Sequence, residues 1–422
     1  MMEHHHKKHN KRKLLSVENA LEKFLSSVNF KPKIETVLLQ NASSRVLAKD
    51  IISKIEIPPF NKASMDGFAV KSSDTKKATK KNPIFLNIVG TIFAGDNKKK
   101  LIKSNEAIAV ATGSTLPDDA DAVIMIEEVI LYNDKIKIIK KIKKQSNLAF
   151  RGEEVRKNQI ILKQGTWLTP QDIGLIASIG LNKISVFKQP SVGILATGNE
   201  LAKPGTNLKP GQIFESNKIM ITELVKELGG KVQDFGICED DKKIITGKIK
   251  KGLQQDLLII IGGSSVGEKD FVPKILNGLG KPGIIIKGVA MKPGSPVTLG
   301  IIKKTPIIVC PGFPVSSFFA FFLFGKSLLK QMLFTEGIPT PEIQAKMESE
   351  VITQQNVTNF VRVRIRKIKD VYFAKPVSTA DSRLLITLTG SDGVIITKNK
   401  KKLKKREVVK VILFRNITND KI

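Results

Sequence analysis

The segment Asp256-Leu-Leu-Ile-Ile-Ile-Gly-Gly-Ser-Ser-Val-Gly-Glu-Lys-Asp270 joins an apolar run of strand length to a loop of three glycines and two serines, closed by a carboxylate. Leu257 to Ile261 reads as a strand buried on both faces, as in a parallel sheet. Gly262 and Gly263 permit a sharp turn and a close approach of backbone to ligand. The exposed N–H groups and the hydroxyls of Ser264 and Ser265, followed by Gly267, suit an anion or a phosphate. Asp270 adds a charge at the same rim. Two more strands end in the same way. Ser191 to Ala196 runs into Thr197-Gly-Asn-Glu-Leu201, and Pro306 to Val309 runs into Cys310-Pro-Gly-Phe-Pro314, ahead of an apolar helical pattern from Val315 to Phe324. In open α/β sheets, ligands bind beyond the carboxyl ends of the strands. Three such joints predict one shared crevice.

Composition narrows the chemistry. All four histidines lie in the first nine residues, and only two cysteines occur, Cys238 and Cys310. A Ser-His-Asp triad, a Cys-His pair and a His- or Cys-built metal site are thereby excluded from the folded body. Two cysteines also exclude a disulfide framework and fit a reducing compartment. Catalysis must use carboxylates, lysines, arginines, hydroxyls and backbone dipoles, with a hard, oxygen-seeking cation as an optional addition. The net charge of +31 sits in loop-like lysine clusters, and one Trp and two Tyr leave few platforms for stacking bases. The expectation is a lysine-rich solvated surface that attracts anionic substrates, with no specific nucleic-acid partner. No apolar run reaches membrane-spanning length. The polar, basic N-terminus does not read as a signal peptide, so the expected location is cytoplasmic.

The elements that must position these residues follow from patterning. Residues 1–13 read as a basic, His-containing tail. Ser16 caps a helix that runs to Leu25, and a second helix is expected from Ala42 to Ala48. Residues 66–148 carry short β-like runs, such as Ile84 to Val89 and Ile136 to Ile139, and predict a small inserted β domain. It divides an α-rich N-terminal domain into 14–65 and 149–187, the latter centred on a helix from Gln171 to Ile179. Residues 188–331 alternate strands and helices as a doubly wound α/β domain does. Residues 340–416 return to strands, such as Phe360 to Ile365 and Glu407 to Phe414, and predict a C-terminal β domain.

Seven motifs stand in order: Pro58-Pro-Phe-Asn-Lys-Ala-Ser-Met-Asp-Gly-Phe-Ala-Val70, Ala111-Thr-Gly-Ser-Thr-Leu-Pro-Asp-Asp-Ala-Asp-Ala-Val123, Arg151-Gly-Glu-Glu154, Ala196-Thr-Gly-Asn-Glu-Leu201, Gly262-Gly-Ser-Ser-Val-Gly267 with Asp270, Met291-Lys-Pro-Gly294 and Pro311-Gly-Phe-Pro314. The ordered set resembles the molybdopterin molybdenumtransferases, the MoeA or gephyrin E-domain family, over roughly residues 14–415. The resemblance implies a homodimer of four-domain subunits whose doubly wound domain is MogA-like. It implies an enzyme that receives adenylylated molybdopterin from the protein that supplies it. With Mg²⁺ the enzyme would cleave the pyrophosphate link, insert molybdate and release AMP. The residues read on their own agree: a glycine-rich crevice suits a phosphate-bearing substrate, and lysine or arginine can hold molybdate by charge-assisted hydrogen bonds.

The resemblance assigns roles residue by residue. Asp66, Glu154, Glu200 and Asp270 match the family's catalytic carboxylates, and Glu200, Asp240 and Asp270 match its metal-holding acids. Thr112 matches the hydroxyl of a Thr-Gly motif. Gly262, Gly263, Ser264, Ser265 and Gly267 form the glycine-rich loop, with Pro311 and Gly312 across from it. Lys292, Ser316, Arg362 and Ser382 match oxyanion-binding positions. Ser216 and Asn217 match a Ser-Asn pair that opens a helix, where N-capping is the competing role. The chain departs from the family pattern at Asn199 (usually Asp), Phe313 (usually Asn), Ser295 (often Lys), Ala149 (often Arg) and Arg406 (usually Gly). Tungstate insertion, or a non-catalytic scaffold of the same family, are the alternative readings.

Overall fold

The computed structural model describes residues 14–96, 100–262, 271–338, 340–377 and 382–417. The expectations for the tail 1–13 and for Gly263, Ser264, Ser265, Gly267 and Asp270 lie outside the described residues.

The doubly wound region is built from β1 (Ser191–Thr197), α1 (Asn217–Glu227), β2 (Lys231–Cys238), α2 (Lys242–Gly252), β3 (Leu257–Ile261), α3 (Phe271–Leu279), β4 (Pro282–Lys287), β5 (Thr298–Ile302), β6 (Thr305–Cys310) and α4 (Pro314–Ala320). Sheet order is β2-β1-β3-β6-β5-β4. The first four strands in that order run parallel, β5 pairs antiparallel with β6, and β4 pairs antiparallel with β5. All five residues of β3 are buried. Side chains alternate across a strand, and β3 divides accordingly. Leu257, Ile259 and Ile261 pack with Ile221, Val225 and Phe319 from α1 and α4. Leu258 and Ile260 pack with Ile245, Ile249, Val272 and Ile275 from α2 and α3. Truncating such a residue to Ala costs about 2–5 kcal/mol. The chain leaves β1 for β2 on one side and returns to β3 on the other. The topological switch point, where open α/β sheets bind ligands, therefore lies between β1 and β3.

A six-stranded sheet forms the inserted β region, in the order Ala122–Met125, Gly67–Val70, Glu106–Val110, Ile84–Ile92, Lys135–Ile138, Ile130–Tyr132. A second six-stranded sheet, containing Thr358–Ile368 and Val408–Leu413, forms the C-terminal region. In the N-terminal region Ser16 caps the helix Val17–Ser26 by accepting from the Asn19 N–H at 3.2 Å. The strand Ile34–Leu38 pairs antiparallel with Lys183–Phe187 and fastens the two halves of this region together.

The helix expected over 42–48 is absent. A 3-10 turn covers Leu39–Asn41 instead, Ser44 takes φ +59°, and Val46 and Leu47 form antiparallel bridges to Trp167 and Val186. A non-glycine residue at positive φ ends a helix, and the apolar pair is buried by strand-like contacts made far along the chain. The greasy segment after α4 is helical as expected, with a π-helical turn over Phe321–Gly325 before the helix Lys326–Met332.

Candidate active site

The loop after β1 is shaped by Gly198, at φ +152°, where an added Cβ would meet the Glu200 carboxylate at 2.6 Å. Glu200 is exposed at the rim, and its carbonyl accepts from the Ile213 N–H at 2.8 Å. The Gly198 N–H donates to the Cys238 carbonyl at 3.0 Å, and the Asp240 N–H donates to Asn199 Oδ1 at 2.9 Å. These bonds draw the loops after β1 and β2 together and bring Glu200 and Asp240 to adjoining strand ends. They also give the Asn199 departure a benign explanation. The Asp240 N–H needs a side-chain oxygen, which Asn and Asp both supply.

Gly262 opens the loop after β3 at φ +93°, with its N–H donating to the Cys310 carbonyl at 3.0 Å. A Cβ there would stand 2.5 Å from the Thr197 carbonyl oxygen. Only glycine lets the ends of β1, β3 and β6 close up this tightly.

The start of α1 lies at the same end of the sheet. Ser216 occupies the N-cap position without a side-chain capping bond. Capping falls to Glu215, whose Oε1 accepts from the Lys218 N–H at 2.5 Å. Asn217 reaches across the crevice, and its Nδ2 donates to the Gly312 carbonyl at 2.6 Å. Glu215 is only 2% exposed, and burial pushes its carboxyl above the ordinary carboxylate value. Sequence reasoning passed over this acid. Its signal was an acceptor side chain three residues before a free helical N–H.

A second feature is a cavity of about 280 Å³ lined by Lys292, Ser295, Pro311, Phe313, Ser316 and Ser382, among others. Lys292 is held by parallel pairing of Met291–Lys292 with Thr358 and Asn359 of the C-terminal sheet. The Val315 N–H donates to the Ser382 carbonyl at 3.2 Å, which pins that loop to α4. Three of the four residues expected around an oxyanion, Lys292, Ser316 and Ser382, thus meet in one cavity. Arg362 is fully buried in the strand Thr358–Ile368 and is not among the residues lining it. The Ser295 hydroxyl donates to the Val289 carbonyl at 2.9 Å. A larger cavity of about 570 Å³, walled by Trp167, Phe318, Phe321, Phe322 and Phe414, contains none of the candidate residues. Its two cations, Lys326 and Arg415, already donate to Thr340 Oγ1 and the Leu388 carbonyl, and the rest of its wall is largely apolar.

The third group lies in the inserted β region. Asp66 precedes the strand Gly67–Val70, and its carboxylate accepts from both the backbone and the hydroxyl of Thr112. These bonds, the backbone one foremost, hold its carboxyl below the usual carboxylate range. Glu154 is exposed where the chain returns to the N-terminal region, and its N–H donates to the Ile57 carbonyl at 3.0 Å. Among the described residues no group of three His, Cys, Asp or Glu side chains is poised to hold a metal ion. Glu200 and Asp240 offer two hard oxygen donors, the type Mg²⁺ takes.

Residues 15–180 match the MoeA N-terminal region (domain I and II), 193–331 a probable molybdopterin binding domain, and 344–414 the MoeA C-terminal region (domain IV). The chain is 32% identical over 355 residues to a molybdopterin molybdenumtransferase of Staphylococcus aureus, covering 84% of each. It is 34% identical over 321 residues to that of Haemophilus influenzae, covering 76% of this chain and 78% of the relative. A molybdopterin biosynthesis MoeA protein from Pyrococcus horikoshii superposes with a TM-score of 0.82 at 30% identity, over 95% of this chain and all of the other. A doubly wound domain with its crevice at the switch point, flanked by two β regions, makes this a multidomain α/β enzyme of molybdenum cofactor biosynthesis. Within that class, the chain belongs to the MoeA family of molybdopterin molybdenumtransferases.

Proposed function

We propose that the substrate is adenylylated molybdopterin, delivered by the protein that makes it, and that cleavage of its pyrophosphate link releases AMP as molybdate enters the dithiolene. The observation that carries this reading is the placement of the Lys292, Ser316 and Ser382 cavity beside the crevice. Gly312 is tied to α1, and its neighbours Pro311 and Phe313 line that cavity. One ligand can then lie across both, with its phosphates over the loop that Gly262 opens and its sulfurs beside Lys292.

In the cleavage step, water adds to a phosphorus of the link, the bridging P–O bond breaks, and AMP and molybdopterin phosphate separate. Glu200 and Asp240, with Asp270, are the residues that would hold Mg²⁺. When bound, the cation offsets phosphate charge. An exposed carboxylate at this rim accepts the proton lost by water. Lys292 supplies a point charge and Ser316 and Ser382 supply hydroxyls to the four oxygens of molybdate. Asp66, Thr112 and Glu154 lie in other regions of the chain. In an isologous homodimer they would face the crevice of the partner subunit. The reaction would take place in the cytoplasm, a reducing compartment that the free thiols of Cys238 and Cys310 fit.

The direct test is AMP release from adenylylated molybdopterin with molybdate, and separately with tungstate, with and without Mg²⁺. AMP release that needs neither oxyanion nor Mg²⁺, or no release at all, would refute the reading.

A further inference from the structure

Two buried oxygens at the start of α1 have no hydrogen-bond partner: Glu215 Oε2 and Asn217 Oδ1. Both side chains are at least nine-tenths buried, at 2% and 9% exposure. Their other polar atoms are committed. Glu215 Oε1 caps the helix through the Lys218 N–H, and Asn217 Nδ2 donates to Gly312 at 2.6 Å. That second bond fixes the amide's orientation, because only the NH₂ side can donate to a carbonyl. The oxygen left over is therefore an acceptor. A buried acceptor without a donor is costly, and two sit two residues apart, at the crevice end of the sheet.

We infer that Glu215 and Asn217 form an acceptor pair that recognises a donor edge of the ligand, the N3–H and 2-amino group of the pterin. The inference rests on the substrate class proposed above and deepens it. Of that substrate's parts, phosphate and molybdate present only acceptors. Adenine presents an amino donor beside a ring-nitrogen acceptor. The ribose diol presents two hydroxyls that accept as well as donate, and only the pterin presents two adjacent groups that donate without accepting. A cation is a poorer match, since Mg²⁺ and Ca²⁺ require more oxygen ligands than these two.

The probes are 6-hydroxymethylpterin and its lumazine counterpart, in which a 2-oxo group replaces the 2-amino group and so turns a donor into an acceptor. Binding to the full chain is read by ligand fluorescence and equilibrium dialysis. Wild type should prefer the pterin by about tenfold or more, as sites built around a ligand N–H do. Glu215→Gln keeps an oxygen for the helix cap but offers an NH₂ at the second position. It should erase the preference, while AMP binding changes less than about twofold, within the effect expected of a site left untouched. Asn217→Ala leaves the Glu215 cap in place and should weaken pterin binding if Glu215→Gln fails to fold. Equal binding of the two probes by wild type, or an unchanged ratio in both folded variants, would overturn the inference. So would a preference that Mg²⁺ abolishes by occupying the pair. AMP release by wild type without pterin preference sinks only the acceptor pair. Pterin preference without AMP release sinks only the transferase reaction.

Discussion

The Asp66 carboxylate accepts two hydrogen bonds from a single residue, Thr112: the backbone N–H at 2.7 Å and the hydroxyl at 2.9 Å. Two residues 46 positions apart, each in a different motif, form one anionic unit at the end of a sheet. Thr112→Val removes the hydroxyl bond and spares the backbone one. The Asp66 carboxyl should then titrate higher, closer to its ordinary 3.8, as followed by carboxyl NMR. Because the folded value is depressed, any stability it adds is present above the unfolded value and lost as pH falls through the folded one. No upward movement in the variant would remove the hydroxyl from this account.

Glu200→Gln should reduce AMP release by roughly 10²-fold or more, the scale for losing a metal-linked or general-base carboxylate. The loop geometry should survive, because Gly198 leaves room for either side chain. Single-turnover measurement of AMP with matched circular dichroism decides this. Near-normal turnover removes Glu200 from the chemistry.

Lys292→Ala should raise the molybdate concentration needed for half-maximal turnover, by about tenfold for the loss of one charge-assisted contact. Binding of the adenylylated pterin should change far less. Ser295→Lys should leave turnover intact or higher, since it adds a cation to the same cavity. A molybdate titration that is unmoved in Lys292→Ala contradicts the assignment of the oxyanion to this cavity.

Mixed dimers test whether the sites are composite. An Asp66→Asn subunit paired with an Asp270→Asn subunit would place both lesions in one site and leave the other whole. Verified heterodimers should then recover up to about half of wild-type activity by two-fold symmetry, while each mutant homodimer stays inactive. Heterodimers no more active than the homodimers would show that each site is built from one chain.

Glu215 carries a pH signature. Burial raises its folded value above 4.5, so between the two values the folded state holds a proton that the unfolded chain has released. Stability from this group is full below about 4.5 and declines as pH rises through the folded value. Glu215→Gln cannot titrate. Its melting temperature relative to wild type should climb across that window, and parallel melting curves from pH 4 to 8 would contradict the buried placement.

Much of the chain was legible in local pattern. Leu257 to Ile261 is apolar at every position, and a strand with both faces covered follows from that alone. Ser16 announces its helix by side-chain chemistry acting three residues away, within one turn. The absence of histidine beyond His9 by itself excludes whole reaction classes. Other features depended on contacts between distant segments. Val46 and Leu47 lie in a helix-like pattern but bridge to Trp167 and Val186. Asn199 departs from the family's usual Asp, yet its side-chain oxygen accepts from the Asp240 N–H, a contact that spacing does not reveal. Arg406, in place of a glycine, stands at φ +65°, a backbone state the residue type opposes and the surrounding turn imposes. The cavity at Lys292 draws its wall from segments near 292, 311, 316 and 382, which no local spacing relates. Glu215 shows the difference most plainly. Its identity as an acid was visible, but its burial, its raised proton affinity and its unpartnered oxygen arise only when α1 is seated against the end of β6. Periodicity reports which face of an element is apolar. Burial and hydrogen-bond partnership are properties of the assembled surfaces, and only tertiary structure sets them.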